Sequence, residues 1–204
     1  INAFNLIDGI NGLSGGLATL IFSVFGTWFF LAGRPELSVV AFATVGAVVA
    51  FLKYNITPAA IFMGDTGSLL LGLICSILSI EFIEFHQSSE LQSVYAFQSV
   101  PAVTIGIIII PLFDTLRVFT MRMLKGKSPF QPDRTHIHHL LIDSGLTHTQ
   151  ASTTLVLVNI IFICIVFFFQ HIGTLPLILL ILGLALLASS WLYWKVQQKQ
   201  GAAS

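Results

Sequence analysis

Six runs of apolar residues, each near the roughly 20 residues that carry a helix across a hydrocarbon core, constrain this chain more than any other feature. They are Leu13 to Ala32, Leu37 to Leu52, Ser68 to Ile83, Val100 to Phe119, Ala151 to Phe169 and Leu175 to Trp194. In lipid no water reaches the backbone, so each run must satisfy its own N–H and C=O groups, and a helix does so within one segment. None of the runs alternates apolar and polar residues as a half-buried strand would. Of the 204 residues 55% are hydrophobic and 9% charged, whereas a soluble domain carries about a quarter charged residues. The expected fold class is all-α: a polytopic integral membrane helical bundle with about six transmembrane helices. It should span residues 1–196, followed by a disordered tail at 197–204.

The connections between the runs alternate in charge. With the N-terminal motif on side one, Arg34 is the one basic residue on side two, and Lys53, Arg117, Arg122, Lys125, Lys127, Arg134, Lys195 and Lys199 fall on side one. That eight-to-one bias makes side one cytoplasmic by the positive-inside rule. The acidic residues divide too, with Glu36, Glu81, Glu84 and Glu90 at side two and Asp8, Asp65, Asp114, Asp133 and Asp143 at side one. Any active site should therefore be cytoplasmic. Nine basic residues, dispersed and balanced by nine acidic ones, are too few for a nucleic-acid surface. Cys75 and Cys164 sit inside apolar runs and read as small core residues. Ile1 opens the chain with a dense polar motif and no leader before it, so an upstream part is expected.

Four polar clusters carry the chemistry. In the first, Asn2, Asn5 and Asp8 repeat every third residue ahead of Gly9, Asn11, Gly12, Gly15 and Gly16. This pattern suits a helix cap with a glycine-rich entry, but three carboxamides and a carboxylate exceed what a cap needs. In the second, Phe62-Met-Gly-Asp65-Thr-Gly-Ser68 opens the third run. Asp65 is placed either as an N-cap or as a carboxylate holding Mg²⁺ at a helix end that already favours anions, and both readings stand. In the third, Asp114 lies three residues before Arg117, a spacing that suits an intrahelical ion pair, and a charge at a membrane boundary needs a partner.

The fourth cluster, SPFQPDRTHIHH from Ser128 to His139, holds three of the six histidines within four residues. Pro129 and Pro132 should end the preceding helix, and Asp133 or Thr135 should cap a short new one. On that helix Ile137, Leu140 and Leu141 share an apolar face, His136, His139 and Asp143 share another, and His138 flanks the polar face. The imidazoles and Arg134 then converge on one polar pocket. A zinc site would want four N or S ligands at fixed spacing and has no Cys at hand, and an amphipathic interfacial helix is the bland alternative. Arg and His donors suit phosphate oxygens, which makes an anion site the preferred reading.

Together NAFNLIDGINGLSGG, FMGDTGSLLLG, PLFDTLRV and SPFQPDRTHIHHLL resemble the polyprenyl-phosphate N-acetylhexosamine-1-phosphate transferase superfamily, glycosyl transferase family 4. The spelling PDRTHIHH is closer to its undecaprenyl-phosphate GlcNAc-1-phosphate transferases than to its phospho-MurNAc-pentapeptide translocases. The resemblance implies a Mg²⁺-dependent enzyme, with Mn²⁺ as an alternative ion. It would move a sugar-1-phosphate from a UDP-N-acetylhexosamine to a polyprenyl phosphate at the cytoplasmic face of the bacterial inner membrane, releasing UMP. Residues 1–196 would be the C-terminal part of one transferase domain, and a homodimer is left open. The resemblance places Asp65 and Asn5 at the metal, and Asn2 at metal or nucleotide. It makes Asp8 a base or substrate ligand and puts Asn11 and Phe62 near the nucleoside. Arg134, His136, His138 and His139 fall in the loop that meets sugar and phosphates. An aspartate-rich loop that the family carries upstream is not in this chain. A transporter would show ionisable residues at mid-membrane, whereas Glu81, Glu84 and Asp114 lie near helix ends, and a non-catalytic scaffold is the third class.

Overall fold

The structure, a computed structural model, describes residues 1–56, 58–88, 91, 93–126, 128 and 135–201. Nine α-helices follow in order: α1 Asn2–Ile7, α2 Leu13–Leu31, α3 Pro35–Asn55, α4 Gly64–Phe85, α5 Val100–Ile107, α6 Ile109–Leu124, α7 Ile137–Asp143, α8 His148–Phe169 and α9 Thr174–Gly201. Short 3₁₀ turns lie at Ser93–Tyr95 and Gln170–Ile172, and the described residues contain no strand. The all-α bundle expected from the apolar runs is the fold found. Helices α2, α3, α4, α8 and α9 are each long and apolar enough to cross a membrane.

The fourth expected span, Val100 to Phe119, is not one helix. It is α5 and α6, which meet at 84° around Ile108, whose backbone leaves the helical region at φ −106°, ψ 20°. The cause is Pro111: it has no N–H to give the carbonyl of Ile107 four residues back. Asn159, fully buried on α8, supplies what the proline withholds. Its Nδ2 donates to the Ile107 carbonyl at 2.9 Å, and its Oδ1 accepts from the Ile110 N–H at 3.3 Å.

Helix α2 is the axis of the bundle, with Leu13, Leu17, Ile21, Phe22, Phe25 and Phe29 all fully buried. It forms a hairpin with α3, in which Gly33 turns the chain at φ +82° and Pro35 starts the new helix with its φ already set. The two helices approach closely where Gly26 faces Ala41 and Phe42, and Ser38 Oγ donates to the Gly26 carbonyl at 2.9 Å. On α3 and α9 side chains such as Val39, Phe42, Leu179 and Leu187 point outward, as a bilayer solvent allows.

The two ends of the bundle differ. At one end Trp28 stacks on His86 with ring centroids 4.7 Å apart and donates Nε1–H to the Tyr95 carbonyl at 3.0 Å. Arg34 pairs there with Glu36 and, at 3.8 Å, with Glu81, as the division of charges led one to expect; Glu90 lies outside the described residues. The other end gathers the four polar motifs. Residues 197–201 continue α9, and Lys199 Nζ donates to the Ser144 carbonyl at 3.0 Å, linking the helix end to the turn after α7. Residues 202–204 lie outside the described set.

Candidate active site

The first two motifs meet at the end of the bundle. Helix α1 stops at Asp8, and Gly12 at φ +77° swings the chain into α2. Asn5 Nδ2 donates to Asp65 Oδ1 at 2.9 Å and to Ser68 Oγ at 3.0 Å. Asp8 Oδ1 accepts from Ser14 Oγ at 2.5 Å. Asn55, buried at the end of α3, ties the two segments together: its Oδ1 accepts from the Gly12 N–H at 2.8 Å and its Nδ2 donates to the Ile61 carbonyl at 2.9 Å. Nothing local in the sequence marks Asn55 for this task, since its partners lie on two other segments.

Asp65 is not the N-cap of α4, the first of its two readings. Met63 holds that position, Gly64 begins the helix at φ +66°, and Asp65 falls in the first turn with no side-chain cap bond at the terminus. Its carboxylate is therefore exposed and turned toward Asn5. Asp8 is half-buried, and burial raises its pKa above the ordinary value; the Ser14 hydrogen bond opposes that shift and the neighbouring Asp65 carboxylate adds to it.

Asp114 is the second centre. Its Oδ1 accepts from Arg117 Nη2 at 3.0 Å, the intrahelical pair expected from the spacing. The same oxygen accepts from the Ile137 N–H at 2.9 Å, and Oδ2 lies 2.9 Å from His136 Nδ1. Arg117 also donates to the Thr135 carbonyl. The cap expected from Asp133 or Thr135 is thus provided from another helix. His136 occupies the N-cap position without a side-chain capping bond to α7, Asp114 takes the first orphan N–H of α7, and Asp133 lies outside the described residues.

The apolar face of α7 is buried as expected, with Ile137, Leu140 and Leu141 in the core. The three imidazoles do come together: His136 and His138 stack at 5.7 Å, and His138 and His139 approach to 4.2 Å. His138 differs from its neighbours. It is 1% exposed, neither ring nitrogen has a hydrogen-bond partner, and its Nε2 end packs against Gly9, where an added Cβ would come within 2.2 Å of Nε2. Burial first, then the nearby His139, push its pKa down to about 3, with His136 and His148 adding and Asp114 opposing. It is a neutral imidazole that carries the histidine helix up to the Asp8 loop. Arg134, assigned to the same loop, lies outside the described residues.

The remaining candidates sit around this centre. Asn2 is exposed one turn of α1 before Asn5, and the Asn11 carbonyl accepts from Ser152 Oγ at 2.8 Å. Phe62, 77% exposed, stands at an apolar groove of about 430 Å³ between α3 and α4 that Phe51, Met63, Gly67 and Leu71 also line.

Among the described residues no group of three or more His, Cys, Asp or Glu side chains is placed to hold a metal, so the zinc reading of the histidines gains no support. Mg²⁺ asks for less: one or two carboxylates, with water and substrate phosphate oxygens completing the octahedron. The exposed Asp65 and its neighbour Asp8 fit that demand. Asn5, whose amide nitrogen faces Asp65, orients the carboxylate.

The model of glycosyl transferase family 4 matches residues 1–83, which hold both motifs of the carboxylate pair. Over 157 residues the chain is 36% identical to the undecaprenyl-phosphate alpha-N-acetylglucosaminyl 1-phosphate transferase of Escherichia coli (strain K12), covering 74% of this chain and 40% of that protein. It is 36% identical over 161 residues to the probable undecaprenyl-phosphate N-acetylglucosaminyl 1-phosphate transferase of Bacillus subtilis (strain 168), covering 79% and 42%. The chain thus spans about two fifths of the length of the curated relatives it matches. With its two carboxylate motifs joined at one end of an all-α membrane bundle, and with these matches reaching across about three quarters of its length, the chain belongs to glycosyl transferase family 4.

Proposed function

We propose that this protein transfers N-acetylglucosamine-1-phosphate from UDP-N-acetylglucosamine to undecaprenyl phosphate at the cytoplasmic face of the bacterial inner membrane, releasing UMP and starting a lipid-linked envelope glycan. The observation that carries the reading is the meeting of Asn5, Asp8 and Asp65 with the histidine helix at one end of the bundle. The names of the relatives support the transferred group and the acceptor lipid, and the eight-to-one placement of basic residues supports the side.

In this reading an oxygen of the lipid phosphate attacks the β-phosphorus of the UDP-sugar, and the bond from that phosphorus to the bridging oxygen breaks as UMP leaves. The lipid phosphate is largely dianionic at neutral pH, its second pKa being about 6, so a strong base is not obligatory. The main obstacle is repulsion between two phosphorylated substrates. Mg²⁺, held by Asp65, would supply positive charge to the phosphate oxygens. Asn5 keeps Asp65 turned toward the substrates. Asp8, whose raised proton affinity is set by burial, can hold a proton taken from the acceptor when its phosphate arrives as a monoanion. His136 and His139 present donors to phosphate or sugar oxygens, and His138 joins their helix to the Asp8 loop.

The test is transfer of radiolabel from UDP-N-acetylglucosamine to undecaprenyl phosphate by the full-length gene product, with Asp65→Ala alongside. Activity should fall by about a hundredfold or more, in the range seen when one charge-stabilising group is removed. Full Mg²⁺-dependent activity in Asp65→Ala would remove that residue from the metal role. Preferential use of UDP-MurNAc-pentapeptide in a competition assay would reassign the donor.

A further inference from the structure

We propose that Asn159 is a positioning residue. By closing the broken backbone between α5 and α6 it sets the angle of α6, and through Asp114 it holds the histidine helix over the carboxylates. As regards turnover, this rests on the transferase reading above.

Asn159 lies in the run TLVLVNIIFICIVFFF of α8 and has no exposed surface. A carboxamide buried there without partners would destabilise the fold, so its two bonds are required of it. The two groups it serves are those the break strands. The Ile107 carbonyl has lost its helical donor to Pro111, and the Ile110 N–H stands in the first turn of α6, where backbone donors are orphaned. One side chain carrying a donor and an acceptor on a single carbon matches a stranded acceptor and a stranded donor three residues apart. Leucine at this position would leave both groups unbonded in an apolar interior.

The elbow is linked to the site by a short lever. Asp114 lies one helical turn beyond Ile110 on α6 and six residues beyond Ile108, about 9 Å along the helix axis at about 1.5 Å per residue. A change of about 15° in the elbow would move Asp114 by about 2 Å, enough to break hydrogen bonds that tolerate only a few tenths of an ångström. Its bonds to His136 and to the Ile137 N–H, both 2.9 Å, are what seat α7. The hydrogen bonds of the Asn159 side chain go to Ile107 and Ile110, outside the candidate site, so its influence would pass through the angle of α6.

The test uses the full-length protein in detergent and compares Asn159→Leu, Pro111→Ala and the double variant. Three quantities are measured: the thermal midpoint, kcat and KM for the UDP-sugar, and hydrogen exchange of residues 137–143. Asn159→Leu should lower the midpoint, reduce kcat by about tenfold or more, as small misplacements do, and speed exchange in 137–143. Pro111→Ala restores a donor for the Ile107 carbonyl within a continuous helix. The double variant should therefore regain thermal stability while kcat stays low and exchange stays fast. Recovery of kcat together with the midpoint would overturn the proposal, because Asn159 would then matter only for stability. Wild-type exchange in 137–143 in a folded Asn159→Leu protein would overturn it too. Should Asn159→Leu not fold, Asn159→Ala combined with Pro111→Ala carries the same comparison. If wild-type protein transfers no label, the transferase reading fails, and the exchange measurements decide the positioning role alone.

Discussion

Two histidines two positions apart have opposite environments, and the difference comes from what each faces. His136 meets the Asp114 carboxylate at 2.9 Å, whereas His138 meets the Gly9 backbone and no polar partner. The unfolded chain takes up a proton on His138 near its ordinary pKa of 6.5, and the folded chain only near about 3. Its contribution to stability is therefore complete above pH 6.5 and is lost as pH falls toward 3. One pH unit below 6.5 should cost up to about 1.4 kcal/mol, a fall of about 3–5 °C in the thermal midpoint for a chain of this size. A His138→Asn protein, which has nothing to titrate there, should show a smaller fall, and equal falls in the two proteins would contradict the assigned environment. That Ile137, Leu140 and Leu141 form the buried face of α7 was legible in their spacing. That His138 would be the buried imidazole was not, because the helix period places it only at the edge of the polar face.

Among the elements, the hydrophobic runs marked nearly every membrane helix, since burial in lipid demands apolar residues all round. The exception is the run from Val100 to Phe119, where Pro111 was the local signal for a break. A proline says that one hydrogen bond is missing; the angle of 84° depends on where α8 can accept the stranded groups. Helix α5 is also held close to α8 by Gly106, where an added Cβ would fall 2.3 Å from Val166 Cγ1. Gly106→Ala should therefore destabilise the protein by about 1–3 kcal/mol through overpacking, and Val166→Ala in the same chain should restore most of that loss. Thermal unfolding of the single and double variants in detergent decides it: without recovery in the double variant, the close approach at Gly106 would not be the cause.

Over the whole molecule, the two ends are chemically different, with aromatic rings, Arg34 and its two glutamates at one and the aspartates, histidines and most of the basic residues at the other. This asymmetry predicts the orientation. Cysteine placed at Val94, 79% exposed, should react with a membrane-impermeant reagent from outside intact cells, once Cys164 has been replaced. Cysteine at Met123, 58% exposed at the other end, should react only after the inner membrane is opened; the reverse pattern would place the candidate site outside. The apolar helices, the polarity of the ends and the identity of the four motifs follow from the chain alone, because hydropathy, charge and local spacing are properties of contiguous residues. The bond from Asn5 to Asp65, the seating of α7 by Asp114 and the support of the elbow by Asn159 join residues 22 to 60 positions apart. Such bonds form only when packed helices bring their ends together, so no local pattern announces them, and the geometry of the site belongs to the tertiary fold.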